Sequence, residues 1–252
     1  MAIEFGSRKE TFANFKVYET MLAGRPFSVE MGKMCGLSNA SAMICYGDTR
    51  VLCNVTMSAK PREGVDFFPL SVEYEEKLYS DGRIPGSFMR REGRPGERAI
   101  LTSRVVDRPI RPLFPKDMRN DVCVTMTVMS LDRDCSPEIA GMIGTSLVLA
   151  VSDIPWAGPI GGVQMGLVDG ELVINPTAEQ RAVSDLALTV AATENKIVMI
   201  EAGANEVDED TMLNAIKMAH EEIKKTIAFI NMIVAERGKK KIEFTPDRKS
   251  VV

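Results

Sequence analysis

Arginine is concentrated in one part of this chain, between Arg83 and Arg119. This segment holds nine Arg and one Lys against four acidic residues, a balance of +6, whereas the whole protein carries −4. The planar guanidinium group binds phosphate through two parallel hydrogen bonds and stacks on nucleobases. A cationic segment in an acidic protein therefore predicts a binding site for a polyanion.

The first group of candidate residues lies where glycine and proline interrupt the sequence, over residues 82–96, which predicts an exposed loop. An aromatic ring beside paired arginines on a loop can stack on a base while the guanidinium groups hold the phosphates of single-stranded RNA. A solvated loop without a ligand is the alternative interpretation. The group consists of Phe88, Met89, Arg90, Arg91 and Arg94.

The second group is Arg104, Arg108 and Arg111, at the i, i+4, i+7 spacing that aligns side chains on one face of a helix. This alignment requires that Pro109 does not break the helix too early. Ion pairs with Asp107 or with acids on neighbouring elements are an equally good interpretation. Arginine content alone does not distinguish RNA from DNA or from a small phosphorylated compound.

Hydrophobic periodicity and turn residues predict an α+β fold in one domain over residues 1–238. Residues 239–252 are expected to be a linker or tail that is cut short. Ser136 followed by Pro137 is a typical helix start, and Pro109 is expected to end or kink the preceding helix. The predicted strands are 27–33, 41–46, 50–57, 68–74, 121–131, 160–168, 171–174, 185–193 and 196–201, and the predicted helices are 97–107, 136–152 and 208–237.

Composition excludes several classes of protein. No apolar run is long enough for a membrane-spanning helix, and the first residues lack the apolar core of a signal peptide. The five cysteines are odd in number and form no CxxC pair, which favours free thiols in a reducing compartment. We therefore expect a cytoplasmic protein with no membrane partner and no metal site.

Three segments carry a resemblance to a known family. They are YGDTRVLCNV (46–55), FFPLSVEYEEKLYSDGRIPGSFMRREGRPGERAILTSRVVDRPIRPLFP (67–115) and GPIGGVQMGLVDGELVINPT (158–177). From about Phe12 to Phe244 the chain resembles the first catalytic-core half of the polynucleotide phosphorylase family. The resemblance implies a ribonuclease-PH-type fold, of the ribosomal protein S5 domain 2-like class, with mixed β-sheets and packed helices.

Members of that family degrade RNA from its 3′ end with inorganic phosphate, release nucleoside diphosphates in mRNA turnover, and use Mg²⁺. They contain two copies of the fold, then KH and S1 RNA-binding modules, and assemble as ring-shaped homotrimers. The resemblance implies single-stranded RNA, phosphate and further copies of the chain as partners. It also matches Phe88–Arg91 to the family's aromatic-aromatic-Arg-Arg RNA clamp, with Met89 in place of the second aromatic, so weaker stacking is expected.

The family's phosphorolytic site lies in the second copy of the fold, which is absent here. In active copies a serine-rich turn at a helix start binds the attacking phosphate, but here that turn contains Ser136, Pro137 and Glu138. Pro137 removes one N–H donor, and Glu138 places a negative charge where phosphate would bind.

Active copies also carry two Asp and one Lys at positions that correspond here to Arg181, Ala187 and Thr189. Without those carboxylates no Mg²⁺ site is expected in this chain, and metal neutralisation is central to phosphoryl transfer. The resemblance therefore implies Mg²⁺ for the parent enzyme, held in the missing half, and no catalytic residues in this half.

Three functions stay open from the sequence. The chain could be the RNA-guiding half of the phosphorolytic enzyme and inactive alone, or a self-sufficient exoribonuclease like single-copy ribonuclease PH. The arginines could instead serve a small phosphorylated ligand or a scaffold role. An affinity for RNA that grows with RNA length and falls with salt would separate the first function from the last.

Overall fold

The computed structural model describes residues 12, 14–86 and 88–244. Residues 1–11 and 13 of the predicted domain, and 245–252 of the predicted linker, lie outside them. The strands are β1 (Lys16–Leu22), β2 (Arg25–Met31), β3 (Ala40–Tyr46), β4 (Thr49–Pro61), β5 (Leu70–Glu76), β6 (Asn120–Ser130), β7 (Gly161–Val168), β8 (Glu171–Ile174), β9 (Leu186–Ala192) and β10 (Ile197–Ala204). The helices are α1 (Glu97–Ile110), α2 (Pro137–Val151), α3 (Ala178–Val183) and α4 (Glu209–Arg237), with short 3-10 helices at Leu78–Asp81 and Arg111–Leu113.

The strands form two sheets. The larger has six strands in the order β1-β2-β3-β4-β6-β5, and the smaller has four in the order β10-β9-β7-β8. All neighbouring strands are antiparallel except β5 and β6, which run parallel and are connected through α1. A parallel pair needs such a long crossover, and here it places α1 against β5.

Helix α2 lies between the sheets and contacts β3, β4 and β7. Every residue from Pro137 to Val151 is buried except Glu138. Small residues permit this close packing, since a Cβ at Gly144 would lie only 2.5 Å from both Cys53 Sγ and Ile44 Cγ1. Helix α4 covers the smaller sheet, with Ala219 and Ile223 buried against it.

The mixed-sheet α+β architecture confirms the predicted fold class, with two sheets and packed helices. Strand β6 alternates between buried and part-buried residues as its sequence indicates, and Val122, Val124 and Met126 face the core. Within the described residues no helix is long and apolar enough to cross a membrane.

The predicted end of α1 was wrong, and two elements were missed. Helix α1 continues past Asp107 and Pro109 to Ile110, because Pro109 lies in the last turn, where its missing N–H disrupts one hydrogen bond. Strand β1 was not predicted, although it pairs with β2 along its whole length. Helix α3 was missed as well, although Thr177 and Gln180 form the reciprocal hydrogen bonds of a capping box at its start.

The start of the predicted tail contacts the domain. The ammonium of Lys241 donates to the carbonyl oxygens of Leu149 and Ser152 at the end of α2, each at 2.7 Å. The backbone N–H of Ile242 donates to the carbonyl of Asp153 at 2.8 Å. Residues up to Phe244 are therefore packed beside the end of α2 that is remote from Glu138.

Candidate functional site

The first arginine group lies on the exposed loop that joins the 3-10 helix Leu78–Asp81 to α1. Phe88 is completely exposed, and Met89 is 69% exposed. Arg90 has a φ of +49°, the left-handed conformation that non-glycine residues adopt at tight turns. The side chains of Arg90, Arg91 and Arg94 are exposed and have no ion-pair partner among the described residues. Their guanidinium groups are available to an external anion.

The second arginine group separates into different environments. Arg111 forms a two-point ion pair with Asp107, at 2.9 and 2.7 Å, and also donates to the carbonyls of Phe68 and Leu70. Arg108 pairs with Glu201 on β10 at 3.3 Å. Two of the three arginines therefore take part in ion pairs within the protein.

Arg104 is exposed on α1 and has no ion pair among the described residues. Of the second group it resembles the loop arginines most closely, because its charge is not neutralised by an acid of this chain. It stays a candidate for phosphate binding.

A cleft of about 620 Å³ lies at the N-terminus of α2, between α1, α3 and the 3-10 helix Leu78–Asp81. Both cationic and acidic side chains line it. The charged residues that line it are Glu76, Lys77, Asp81, Arg83, Arg98, Asp132, Arg133, Glu138 and Arg181.

The carboxylate of Glu138 binds the donors that face this cleft. One oxygen accepts from Arg98 Nε and from the hydroxyl of Thr102, both at 3.3 Å, and the other accepts from the Gln164 amide at 3.2 Å. Ser136 occupies the N-cap position of α2, but its hydroxyl makes no capping hydrogen bond, and Pro137 has no N–H. Glu138 thus places a negative charge in the first turn of α2, the end of a helix that favours anions.

The remaining cations of the cleft are mostly engaged as well. Arg83 pairs with Asp81 at 2.8 Å, and Lys77 pairs with Glu75. Arg181 donates to the carbonyls of Pro176 and Arg133. Most cationic side chains of the lining are therefore already bound to acids or carbonyl oxygens of the protein.

Two side chains near Glu138, Arg98 and Tyr74, have raised pKa values. Burial opposes the charge of Arg98, but the Glu138 and Glu76 carboxylates outweigh it and raise the pKa of the guanidinium. Burial, together with the same two carboxylates, raises the pKa of Tyr74 well above its ordinary value, so its hydroxyl stays protonated. This buried hydroxyl has no hydrogen-bond partner in the described residues.

The positions matched to catalytic residues fall in two places. Arg181 lines the cleft from α3. Thr189 on β9 is in register with Gln164 on β7, so it is one strand away from the amide that binds Glu138. Ala187 is exposed and pairs with Gly203 on β10.

The donor set does not suit Mg²⁺. Within the described residues no three His, Cys, Asp or Glu side chains form a cluster that could hold a metal. Burial opposes the charge of Asp132 beside the cleft, but hydrogen bonds from the backbone N–H groups of Asp134 and Asp48 lower its pKa and engage both oxygens. Mg²⁺ binds through oxygen ligands, and the carboxylates of Asp81, Asp132 and Glu138 in this cleft already accept from donors of the protein.

Sequence reasoning missed the three partners of Glu138, namely Arg98, Thr102 and Gln164. Arg98 and Thr102 are four residues apart on α1, a spacing that puts both on one helix face and could have indicated a shared partner. Gln164 lies on a strand of the other sheet, and no local pattern connects it to the helix start.

Comparison with known proteins defines the class. The model of the 3′ exoribonuclease family, domain 1, matches residues 23–155, and that of domain 2 matches residues 158–222. The chain belongs to this 3′ exoribonuclease family. Its fold is similar to the crystal structure of Rrp46 from rice (Oryza sativa), with a TM-score of 0.66 at 13% identity over 91% of this chain and 98% of that one.

Within this class the chain is similar to the polyribonucleotide nucleotidyltransferases. It is 61% identical to that of Ruminiclostridium cellulolyticum over 91% of this chain and 33% of the relative, and 58% identical to that of Clostridioides difficile over 90% and 32%. The chain spans about a third of the length of the curated relatives it matches. These matches confirm the resemblance predicted from the sequence.

Replacing Glu138 by Ala is expected to lower the free energy of unfolding by about 1–3 kcal/mol, because Thr102 and Gln164 lose their acceptor. Glu138→Gln keeps an oxygen that can accept from Arg98 and Thr102 but replaces the oxygen that accepts from Gln164 by an NH2 group, so an intermediate loss of about 1 kcal/mol is expected. Urea unfolding of both variants tests this difference. An E138A variant as stable as the parent would show that the carboxylate does not hold this cleft together.

Proposed function

We propose that this chain is the RNA-holding first half of the catalytic core of a polyribonucleotide nucleotidyltransferase. The parent enzyme would degrade RNA from its 3′ end with inorganic phosphate and release nucleoside diphosphates. This half would bind and guide single-stranded RNA without cleaving it. The observation that carries the proposal is the exposed loop Phe88–Arg91, whose cations have no ion-pair partner among the described residues, near a cleft in which Arg98, Thr102 and Gln164 all donate to Glu138.

RNA binding at the loop would use two interactions. The ring of Phe88 would stack on a base, which typically contributes ~1–3 kcal/mol and tolerates any base. Arg90, Arg91 and Arg94 would bind successive phosphates, with Arg104 on α1 as a further contact. The phosphate contacts would make the affinity fall with rising salt, because each contact releases condensed counterions.

Cleavage is assigned to the second copy of the fold. In this proposal the charge of Glu138 would repel an incoming phosphate, and Asp132 would be a poor Mg²⁺ ligand because backbone N–H groups bind both of its oxygens. Mg²⁺, which would neutralise the charge that develops on the transferred phosphoryl group, would be held by the other half of the parent enzyme.

Assembly and domain limits belong to the same proposal. Residues 1–238 would form the first ribonuclease-PH-type domain, and residues 239–252 the linker that follows it. The parent enzyme would be a cytoplasmic homotrimer. A self-sufficient exoribonuclease is the second candidate. The negative charge of Glu138 in the first turn of α2 argues against it, because it would repel the attacking phosphate.

Replacing Arg90 and Arg91 together by Ala is expected to weaken binding of single-stranded RNA about tenfold or more at low salt, for all base compositions. The slope of log K against log salt should become shallower by about 1.4, since each contact to a single strand contributes about 0.7. Fluorescence anisotropy with labelled RNAs of increasing length measures both quantities.

The matched control for that variant is Lys224→Ala with Lys225→Ala, which removes the same charge from exposed positions on α4. This control should keep the parent's RNA affinity. The proposed clamp would be refuted if the arginine variant bound RNA as tightly as the control. Binding that does not grow with RNA length would favour a small phosphorylated ligand.

Restoring a second aromatic side chain at position 89 tests the stacking contribution. Met89→Phe is expected to raise the affinity for single-stranded RNA about three- to tenfold, because a ring stacks on a base more strongly than a thioether does. Ile84→Phe, at an equally exposed position of the same loop, is the control and should change the affinity little. Equal gains in both variants would show nonspecific attraction rather than a defined stacking position.

A further inference from the structure

One acidic residue of the arginine loop is distinct from its neighbours. Of the described residues 82–86 and 88–98, all are exposed except Pro85 and Glu92. Glutamate is rarely sheltered from solvent unless a partner binds its carboxylate. Glu92 follows directly after Arg91, so whatever holds its side chain also limits where Phe88–Arg91 can lie.

The partner of Glu92 is the backbone of Leu78. The N–H of Leu78 donates to Glu92 Oε1 at 3.1 Å. Leu78 is the first residue of a 3-10 helix whose N-cap residue, Lys77, makes no side-chain capping hydrogen bond. Glu92 therefore satisfies an N–H that the helix leaves unpaired.

The same residue, Leu78, also holds the other end of the loop. Its carbonyl oxygen accepts from the N–H of Arg83 at 2.9 Å. The segment from Arg83 to Glu92 is thus closed at its base on a single residue. The 3-10 helix that carries Leu78 is joined to the end of β6, because the N–H of Leu131, the residue after this strand, donates to the carbonyl of Ser80 at 3.2 Å.

Little else ties this segment to the protein. For the described residues 84–86 and 88–95, the bond between Glu92 and Leu78 is the hydrogen bond that reaches the domain. A cleft of about 280 Å³ lies between the C-terminal part of the loop, at Arg94, and Tyr74 on β5. Without Glu92 the loop would be held on its C-terminal side only where the chain enters α1 at Glu97, and RNA binding would have to order it.

We propose that Glu92 is the positioning residue that closes this loop and presents Phe88–Arg91 to RNA. The inference rests on the proposed function of the loop. Charge alone predicts a different result for removal of Glu92. A carboxylate beside two arginines repels a polyanion, so its removal should strengthen RNA binding. Positioning predicts the opposite sign, and the two effects can be separated by substitution.

The experiment compares Glu92→Ala with Glu92→Gln in the 252-residue chain, by anisotropy with single-stranded RNA at low salt. Gln is neutral but keeps an oxygen that can accept from Leu78, so E92Q should bind RNA at least as tightly as the parent. Ala loses that oxygen, so E92A should bind about three- to tenfold more weakly than E92Q. Glu97→Ala, an exposed acid nearby without a side-chain hydrogen bond in the described part of the chain, is the charge control and should not weaken binding.

Limited trypsin digestion of the same variants measures how accessible the loop is in the absence of RNA. Cleavage after Arg90 and Arg91 should be faster in E92A than in E92Q or the parent, because a loop that is no longer held by Leu78 binds in the protease active site more readily. Equal RNA affinity of E92A and E92Q, or equal cleavage rates, would overturn the positioning role. Failure of the proposed function would look different: removal of Arg90 and Arg91 would leave RNA binding unchanged, whatever the digestion rates.

Discussion

The hydrogen bonds of the Glu138 carboxylate are the interaction on which the arrangement of the cleft depends. Helix α2 is buried between two sheets, and Glu138 is its one residue from Pro137 to Val151 that is not buried. It reaches into the cleft and binds donors from α1 and from β7. One side chain therefore joins the crossover helix, the central helix and the smaller sheet, and it places a negative charge in the first turn of α2.

Charge is distributed differently over the two parts of the arginine segment. Arg83, Arg98, Arg108 and Arg111 pair with acids of this chain, whereas Arg90, Arg91 and Arg94 project from the loop without such partners in the described residues. Arg83 and Arg98 are paired at the cleft, whereas Arg108 and Arg111 are paired elsewhere on the domain. The three loop arginines and Arg104, which pair with no acid among the described residues, are the candidates for binding a polyanion.

The sequence was sufficient where local patterns decide the structure. The alternation in β6 and the Ser136-Pro137 start of α2 predicted both elements within about two residues, as expected of strongly periodic segments. Strand β1 was missed because it is mostly exposed, so its alternation is weak and its pairing with β2 supplies the order. The contact between Gln164 and Glu138 could not be foreseen, since it joins two elements through the tertiary fold alone.

The most direct test of this account is release of nucleoside diphosphate from single-stranded poly(A) with Mg²⁺, with and without inorganic phosphate, under conditions in which RNA binding is measured on the same sample. The account predicts bound RNA and no release in either case, because the charge of Glu138 in the first turn of α2 would repel the attacking phosphate. Phosphate-dependent release by the 252-residue chain would contradict it, and would identify the chain as an exoribonuclease that is complete by itself.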